Sequence, residues 1–174
     1  MNGSLASGQT GPVDDVQTTG APVVTSIHLA PGTRLPTKAV ESVVAEAGKG
    51  LVGDRYHGTR HRHVTVQSQP DLDAAAADLG GPVPAGSTRR NVTISAGPVP
   101  TKPGTRVRVG DTLLEVVRLA APCRLMDDYV APGAMRALHA RVGAVFRILE
   151  SGTIRVGDRV EVLDAEGEGP AASR

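Results

Sequence analysis

The chemistry-bearing residues of this chain begin with a lone thiol. Cys123 is the only cysteine in 174 residues, and it lies in the stretch Ala121-Pro122-Cys123-Arg124-Leu125-Met126-Asp127-Asp128-Tyr129. A thiol serves as a nucleophile or soft-metal ligand only as its thiolate, and positive charge nearby favours that form. Arg124 supplies one such charge. Free cysteine is also among the residue types most often buried as a small hydrophobe, so the residues alone leave both readings open. A second stretch runs Gly48-Lys49-Gly50-Leu51-Val52-Gly53-Asp54-Arg55-Tyr56-His57-Gly58. Its four glycines allow close backbone approach, and Lys49, Arg55 and His57 add cationic or proton-carrying groups. Such a loop can hold an anion or can be a solvated surface turn. It lacks the glycine and lysine order of a P-loop. A third stretch, Arg89-Arg90-Asn91-Val92-Thr93-Ile94-Ser95, joins two guanidinium groups to a carboxamide. The guanidinium fork suits phosphate and carboxylate, and the carboxamide offers a donor and an acceptor to a heteroaromatic edge. It also reads as the charged start of a strand. His57, His61 and His63 raise a metal site, with Arg62 among them. Gly58 opposes the helix that an i,i+4 histidine pair would need, and the ligand spacings of structural zinc are absent.

The elements that must position these groups are mostly strands. Val23 to Leu29 is rich in Val and Ile and predicts a first strand. Thr37 to Ala47 predicts a strand leading into a loop, with a short helix as the alternative. Val64 to Val66 is a short strand. Ser68 caps a helix that runs through Pro70, Asp71 and the alanine run to Leu79, and Gly80-Gly81-Pro82 stops it. Thr112 to Leu119 is the strand that delivers Cys123. Two segments echo each other around Gly110-Asp111 and Gly157-Asp158, and each predicts two strands joined by a tight turn. A short helix is expected over Pro132 to His139, followed by a strand over Val142 to Leu149. Antiparallel strands punctuated in this way suggest a barrel, which removes exposed edges by closure.

Composition narrows the function classes. Hydrophobic residues make up 40% and charged residues 21%, ordinary for a globular protein. The net charge of +1 argues against a strong nucleic-acid binder. Aromatics at 2% leave few platforms for stacking bases. One cysteine forms no intrachain disulfide. Met1 to Gly20 lacks the apolar and basic regions of a signal peptide, and no run approaches the roughly 20 apolar residues of a membrane span. The expected location is therefore the cytoplasm, with no membrane partner. Residues 1–20 and 165–174 are expected to be disordered tails around one folded domain, 21–164.

Taken in order, three of these segments resemble the MOSC domain family, named after the C-terminal domain of molybdenum cofactor sulfurase. Gly50-Leu51-Val52-Gly53-Asp54-Arg55-Tyr56 is similar to the family's Gly-Leu-x-Gly-Asp-Arg signature, Arg90-Asn91-Val92-Thr93 to its Asn-bearing strand, and Pro122-Cys123 to its signature cysteine. The closing Gly152-x-Ile154-x-Val156-Gly157-Asp158 segment also fits. The likeness spans about 23 to 163 and looks like the small stand-alone bacterial type. It implies a mainly β fold, a closed or partly closed β-barrel of the MOSC or pyruvate-kinase-barrel type with a few short helices. It also implies a role in molybdenum cofactor chemistry. Carried over residue by residue, Cys123 becomes the catalytic residue and molybdenum ligand. Arg55, Arg90 and Asn91 match the motif positions for contacts to the cofactor, molybdopterin, with Lys49, His57, Arg62 and Arg89 as sequence neighbours. Asp54 reads instead as structural, pairing with Arg55 or accepting from loop amides. Many relatives carry an arginine nearby on the N-terminal side of the cysteine. Here Ala120-Ala121-Pro122 stands there, with Arg118 or Arg124 as substitutes.

Three functions follow as expectations. The first is a molybdenum-dependent oxidoreductase that reduces N-hydroxylated small molecules, with electrons from separate electron-transfer proteins. The second is a sulfur carrier, in which Cys123 takes a persulfide from a cysteine desulfurase whose pyridoxal phosphate (PLP) sits on that partner. The third is a non-catalytic anion-binding module.

Overall fold

Burial alternates along Ser42–Glu46 and Arg106–Val109, whereas Val64–Ser68 and Val92–Ile94 are buried at every position and so form the centre of the fold. A computed structural model describes residues 20–60 and 62–163. The expected tails, apart from Gly20, lie outside the described residues, as does His61 and with it the His57/His61 pair. The elements in chain order are β1 (Val24–Leu29), β2 (Lys38–Val40), β3 (Ser42–Glu46), β4 (Gly50–Leu51), β5 (Val64–Ser68), α1 (Gln69–Leu79), β6 (Val92–Ile94), β7 (Arg106–Val109), β8 (Thr112–Leu119), α2 (Leu125–Tyr129), α3 (Ala134–Ala137), β9 (Ala144–Glu150), β10 (Gly152–Arg155) and β11 (Val160–Leu163). Segment 37–47 is thus two strands and not a helix. No helix among the described residues is long and apolar enough to cross a membrane.

Eight strands form one sheet in the order β11-β7-β8-β9-β5-β6-β1-β2, and β10-β3-β4 form a second. All pairings are antiparallel except β5 with β6. A parallel pair needs a crossover, and α1 supplies it. Ser68 starts that helix by accepting from the Asp71 amide, and Gly80 ends it in the left-handed conformation at φ 68°. The large sheet is not a closed barrel, because its hydrogen-bonded ladder stops at β11 and β2. The gap is spanned by one bridge, Val23 to Arg159. Backbone bonds from Val24 N to Asp158 O (2.9 Å), Gly157 N to Val24 O (2.8 Å) and Val160 N to Pro22 O (2.7 Å) hold it. The barrel is therefore partly closed. Its interior is lined by aliphatic residues around the single phenylalanine, Phe146. A second apolar cluster joins α1, α2 and α3 through Leu72, Met126, Leu138 and Val142. That cluster is the floor beneath the Cys123 segment.

The two Gly-Asp echoes turn out differently. β7 and β8 form the expected hairpin, with Val109 opposite Thr112 across Gly110-Asp111. β10 and β11 do not pair with each other; β10 pairs with β3, and β11 with β7. The Asp158 carboxylate accepts from the Arg155 amide at 2.8 Å, and Gly157 adopts φ 93°. The chain thereby leaves one sheet and enters the other. The two turns also pack together, since a Cβ on Gly110 would meet the Asp158 carboxylate.

Gly143 marks the tightest approach in the barrel. Its φ is 67°, and a Cβ there would lie 1.8 Å from the Val66 carbonyl oxygen on β5. Left-handed backbone and a collision with main chain act in the same direction, so Gly143→Ala is expected to lower stability by about 3 kcal/mol or more. Urea denaturation of the two proteins measures this, and equal midpoints would refute it.

Candidate functional site

The loop between β4 and β5 is held by one buried carboxylate. Asp54, 6% exposed, accepts through Oδ2 from the Ala30 amide (2.9 Å) and the Asn91 carboxamide (2.9 Å), and through Oδ1 from the Tyr56 amide (3.0 Å). The Arg55 amide donates back to the Ala30 carbonyl at 2.8 Å. Asp54 is thus an acceptor for loop amides and forms no ion pair with Arg55. Asn91 is equally occupied. Its Oδ1 accepts from the Thr65 amide (3.0 Å) and hydroxyl (2.8 Å), and its Nδ2 donates to Asp54 and to the His28 carbonyl (3.1 Å). All four hydrogen-bonding positions of the carboxamide are taken inside the protein. Asn91 therefore positions the loop and has nothing left for a cofactor edge.

What the loop presents is a stack of cations. The guanidinium carbons of Arg55 and Arg62 lie 4.4 Å and 4.1 Å from the Tyr56 ring centroid. Both side chains also donate to the Tyr56 hydroxyl, at 2.6 Å and 3.1 Å. The Nε atoms of Arg55 and Arg62 are buried without a hydrogen-bond partner. Burial lowers the Arg62 pKa, with the charges of Arg55 and Arg118 adding to that effect.

Arg90 connects this stack to the cysteine. It is 4% exposed, and it donates to the carbonyls of Val142 (3.2 Å) and Ala121 (2.9 Å). The second bond clamps the backbone two residues before Cys123. Burial lowers the Arg90 pKa to about 10. The Arg62 and Arg118 cations push the same way, while the neighbouring Cys123 and Tyr56 side chains oppose them. Arg90 is therefore still a cation at neutral pH. Cys123 itself is exposed and sits at the start of α2, where its carbonyl accepts from the Met126 amide at 2.8 Å. Among the described residues, no carboxylate pairs with Arg55, Arg62, Arg90 or Arg118. An accessible thiol whose segment is clamped by Arg90, itself coupled to the Arg62 and Arg118 cations, is suited to an anionic ligand that also offers a soft centre.

The other sequence candidates lie elsewhere. Lys49 and His57 both pair with Glu46, at 3.4 Å and 2.9 Å, and these bonds hold the Glu46 carboxyl below its ordinary range. Arg89 is 7% exposed and donates to the carbonyls of Leu35 and Gly32. It also lies over the Tyr129 ring at 5.2 Å, so it joins loop 32–35 to α2. His63 accepts from the Ile148 amide at 2.9 Å inside the sheet. Among the described residues no three His, Cys, Asp or Glu side chains gather to hold a metal. Two residues of the cluster carried little weight in the sequence. Tyr56 is recognisable only from the arginines on either side of it, at 55 and 62. Arg118, at the end of β8, donates to the Leu119 carbonyl at 3.3 Å, and its charge is felt by Arg62 and Arg90.

Residues 53–161, more than half of the chain, match the model of the MOSC domain. The fold is similar to the YuaD protein from Bacillus subtilis, with TM-score 0.70 and 20% identity over 81% of this chain and 95% of that one. It is also similar to YiiM from Geobacillus stearothermophilus (TM-score 0.65, 16% identity, 82% and 75%) and YiiM from Escherichia coli (0.61, 14%, 82% and 70%). At these identities the likeness is one of fold. No curated protein matches the chain.

The Asn91 network generates a prediction that separates positioning from ligand binding. Asn91→Ala leaves Asp54 and the Thr65 amide short of partners in a buried site, so it is expected to cost about 2–4 kcal/mol in the ligand-free protein. Chemical denaturation reads this directly. A variant as stable as the wild type would show that Asn91 is not part of the scaffold.

Proposed function

The chain belongs to the MOSC domain family, and on that premise we propose that it binds molybdenum cofactor through the Cys123 thiolate and reduces N-hydroxylated compounds. The observation that carries this reading is the exposed thiol flanked by guanidinium groups that no carboxylate neutralises. The residues fit the group. A soft thiolate suits the metal. The cations suit the cofactor's phosphate, and the partnerless buried Nε atoms of Arg55 and Arg62 are donors in search of an acceptor. When bound, the cofactor supplies a centre that exchanges two electrons and removes oxygen from the substrate.

The chain's own residues do the rest. Arg55, Arg62 and Arg90 hold negative charge, while the Asp54–Asn91 network fixes the loop from which Arg55 and Tyr56 project. The Arg90 bond to the Ala121 carbonyl keeps the segment carrying Cys123 against the barrel. With a single cysteine the chain cannot ligate an iron–sulfur cluster, and the reading assigns electron delivery to separate proteins. A second reading draws on the exposure of Cys123, which also suits a persulfide passed from a PLP-dependent cysteine desulfurase to an acceptor.

The full chain, produced in a host that makes the cofactor, is expected to carry stoichiometric molybdenum by elemental analysis. Cys123→Ser is expected to lose that metal while keeping the circular dichroism spectrum of the wild type. Sulfane sulfur on Cys123 without molybdenum would favour the carrier. Neither metal nor sulfane sulfur would leave only the anion-binding module.

A further inference from the structure

Exposed apolar side chains gather around Cys123. Leu119, 46% exposed, ends the strand that leads to it. Met135, 41% exposed, lines a depression of about 450 Å³ with Ala121, Pro122, Arg136 and His139, so its wall ends one residue from the thiol. Leu35, 52% exposed, is tied to the far end of α2, because Arg89 donates to the Leu35 carbonyl while lying over Tyr129. Tyr129 in turn donates to the Arg34 carbonyl. Three of the seven large exposed hydrophobic residues among the described residues thus ring one short segment.

Charge on this face is one-sided. Arg34, Arg118, Arg124 and Arg136 are exposed here, and none of them is in an ion pair among the described residues. On the facing helix, Asp127 is engaged by the Met135 amide at 2.8 Å, which leaves Asp128 as the exposed carboxylate of α2. The excess stands out in a chain whose net charge is only +1. Apolar residues inside a cationic rim are the makeup of a protein docking surface with complementary charge.

We propose that the face around Cys123 docks a small acidic electron-transfer protein. The proposal rests on the reading above in one respect, that electrons reach the site from outside the chain. Conversion of an N–OH group to N–H and water consumes two electrons and two protons. A reduced one-electron carrier is therefore oxidised twice per turnover, and each visit must bring its centre close to Cys123. The arginines steer the approach, and Leu35, Leu119 and Met135 give the contact its desolvated core.

The test uses the full chain, with and without molybdenum, and two purified probes: an acidic plant-type [2Fe–2S] ferredoxin and an acidic flavodoxin. Binding is read by fluorescence anisotropy of the labelled probe, independently of activity. Saturable binding of at least one probe is expected at low ionic strength, falling at least ~10-fold between about 20 and 200 mM salt. Arg34→Glu combined with Arg136→Glu is expected to weaken it by ~10-fold or more. Arg159→Glu, beside the turn that opens β8 and so about 25 Å along that strand from Leu119, is expected to change it by less than about twofold. Far-ultraviolet circular dichroism checks that each variant is folded. The inference is overturned if neither probe binds, or if Arg159→Glu weakens binding as much as the face variants do. It is also overturned if phosphatidylserine vesicles alone bind through Arg34 and Arg136, which makes the face a membrane contact. A chain that holds molybdenum yet binds neither probe loses this surface and keeps the proposed activity. A chain that binds a probe without ever holding molybdenum does the reverse.

Discussion

Four hydrogen bonds to one buried carboxamide hold the functional end of this molecule together. Asn91 links β6 to β5 through Thr65, to β1 through the His28 carbonyl, and to the 52–63 loop through Asp54. Buried polar groups are tolerated only when satisfied, and each lost partner costs far more than a made bond contributes. The network is complete, so every hydrogen-bonding position of the carboxamide that anchors the loop has a partner. Asp54 spends its charge on two backbone amides and Asn91, which leaves the arginines next to it without an acidic partner. Fixing the loop and leaving its cations uncompensated are thus the same structural decision.

Those cations are held against their mutual repulsion. Arg55 and Arg62 lie no more than about 8.5 Å apart beside Tyr56, where like charges repel by at least roughly 2 kcal/mol at an effective dielectric of about 20. Stacking on the tyrosine offsets part of this, at about 0.5–2 kcal/mol per contact. Arg90 adds a buried charge whose partners are the carbonyls of Ala121 and Val142. A folded protein that concentrates positive charge in this way gains most when an anion arrives, because every repulsive pair then acquires a common partner. The geometry that destabilises the free site is the geometry that favours its ligand.

Much of this could be read from the residues. The strand leading to Cys123, the Ser68 cap and Gly80 stop of α1, and the glycine loop follow from local rules, since each depends on neighbours within a few positions. Asp54 likewise gave away its structural role through its Gly-Asp context. The partners of side chains were harder. Asn91 reads as a ligand contact until Thr65, His28 and Asp54 are seen to occupy it, and these lie 26 to 63 residues away. Lys49 and His57 look like part of the cationic loop, yet Glu46 claims both. The second Gly-Asp turn resembles the first in sequence, but strand pairing is a property of the whole sheet, and β10 found β3 instead of β11. Tyr56 became visible only when two arginines were seen to lie over its ring.

The bridge between Val23 and Arg159 joins the described chain almost end to end. On the ribosome, β1 emerges long before the segment at 157–160 that completes its edge. Until then the first strand has β6 and β2 to lean on, but the barrel remains open on that side and its aliphatic lining stays accessible to water. Contacts this distant in sequence slow folding and prolong exposure of unpaired strand edges. For this architecture, the vulnerable period in the life of the molecule is its synthesis, when most of the sheet exists and the strand that shuts it does not.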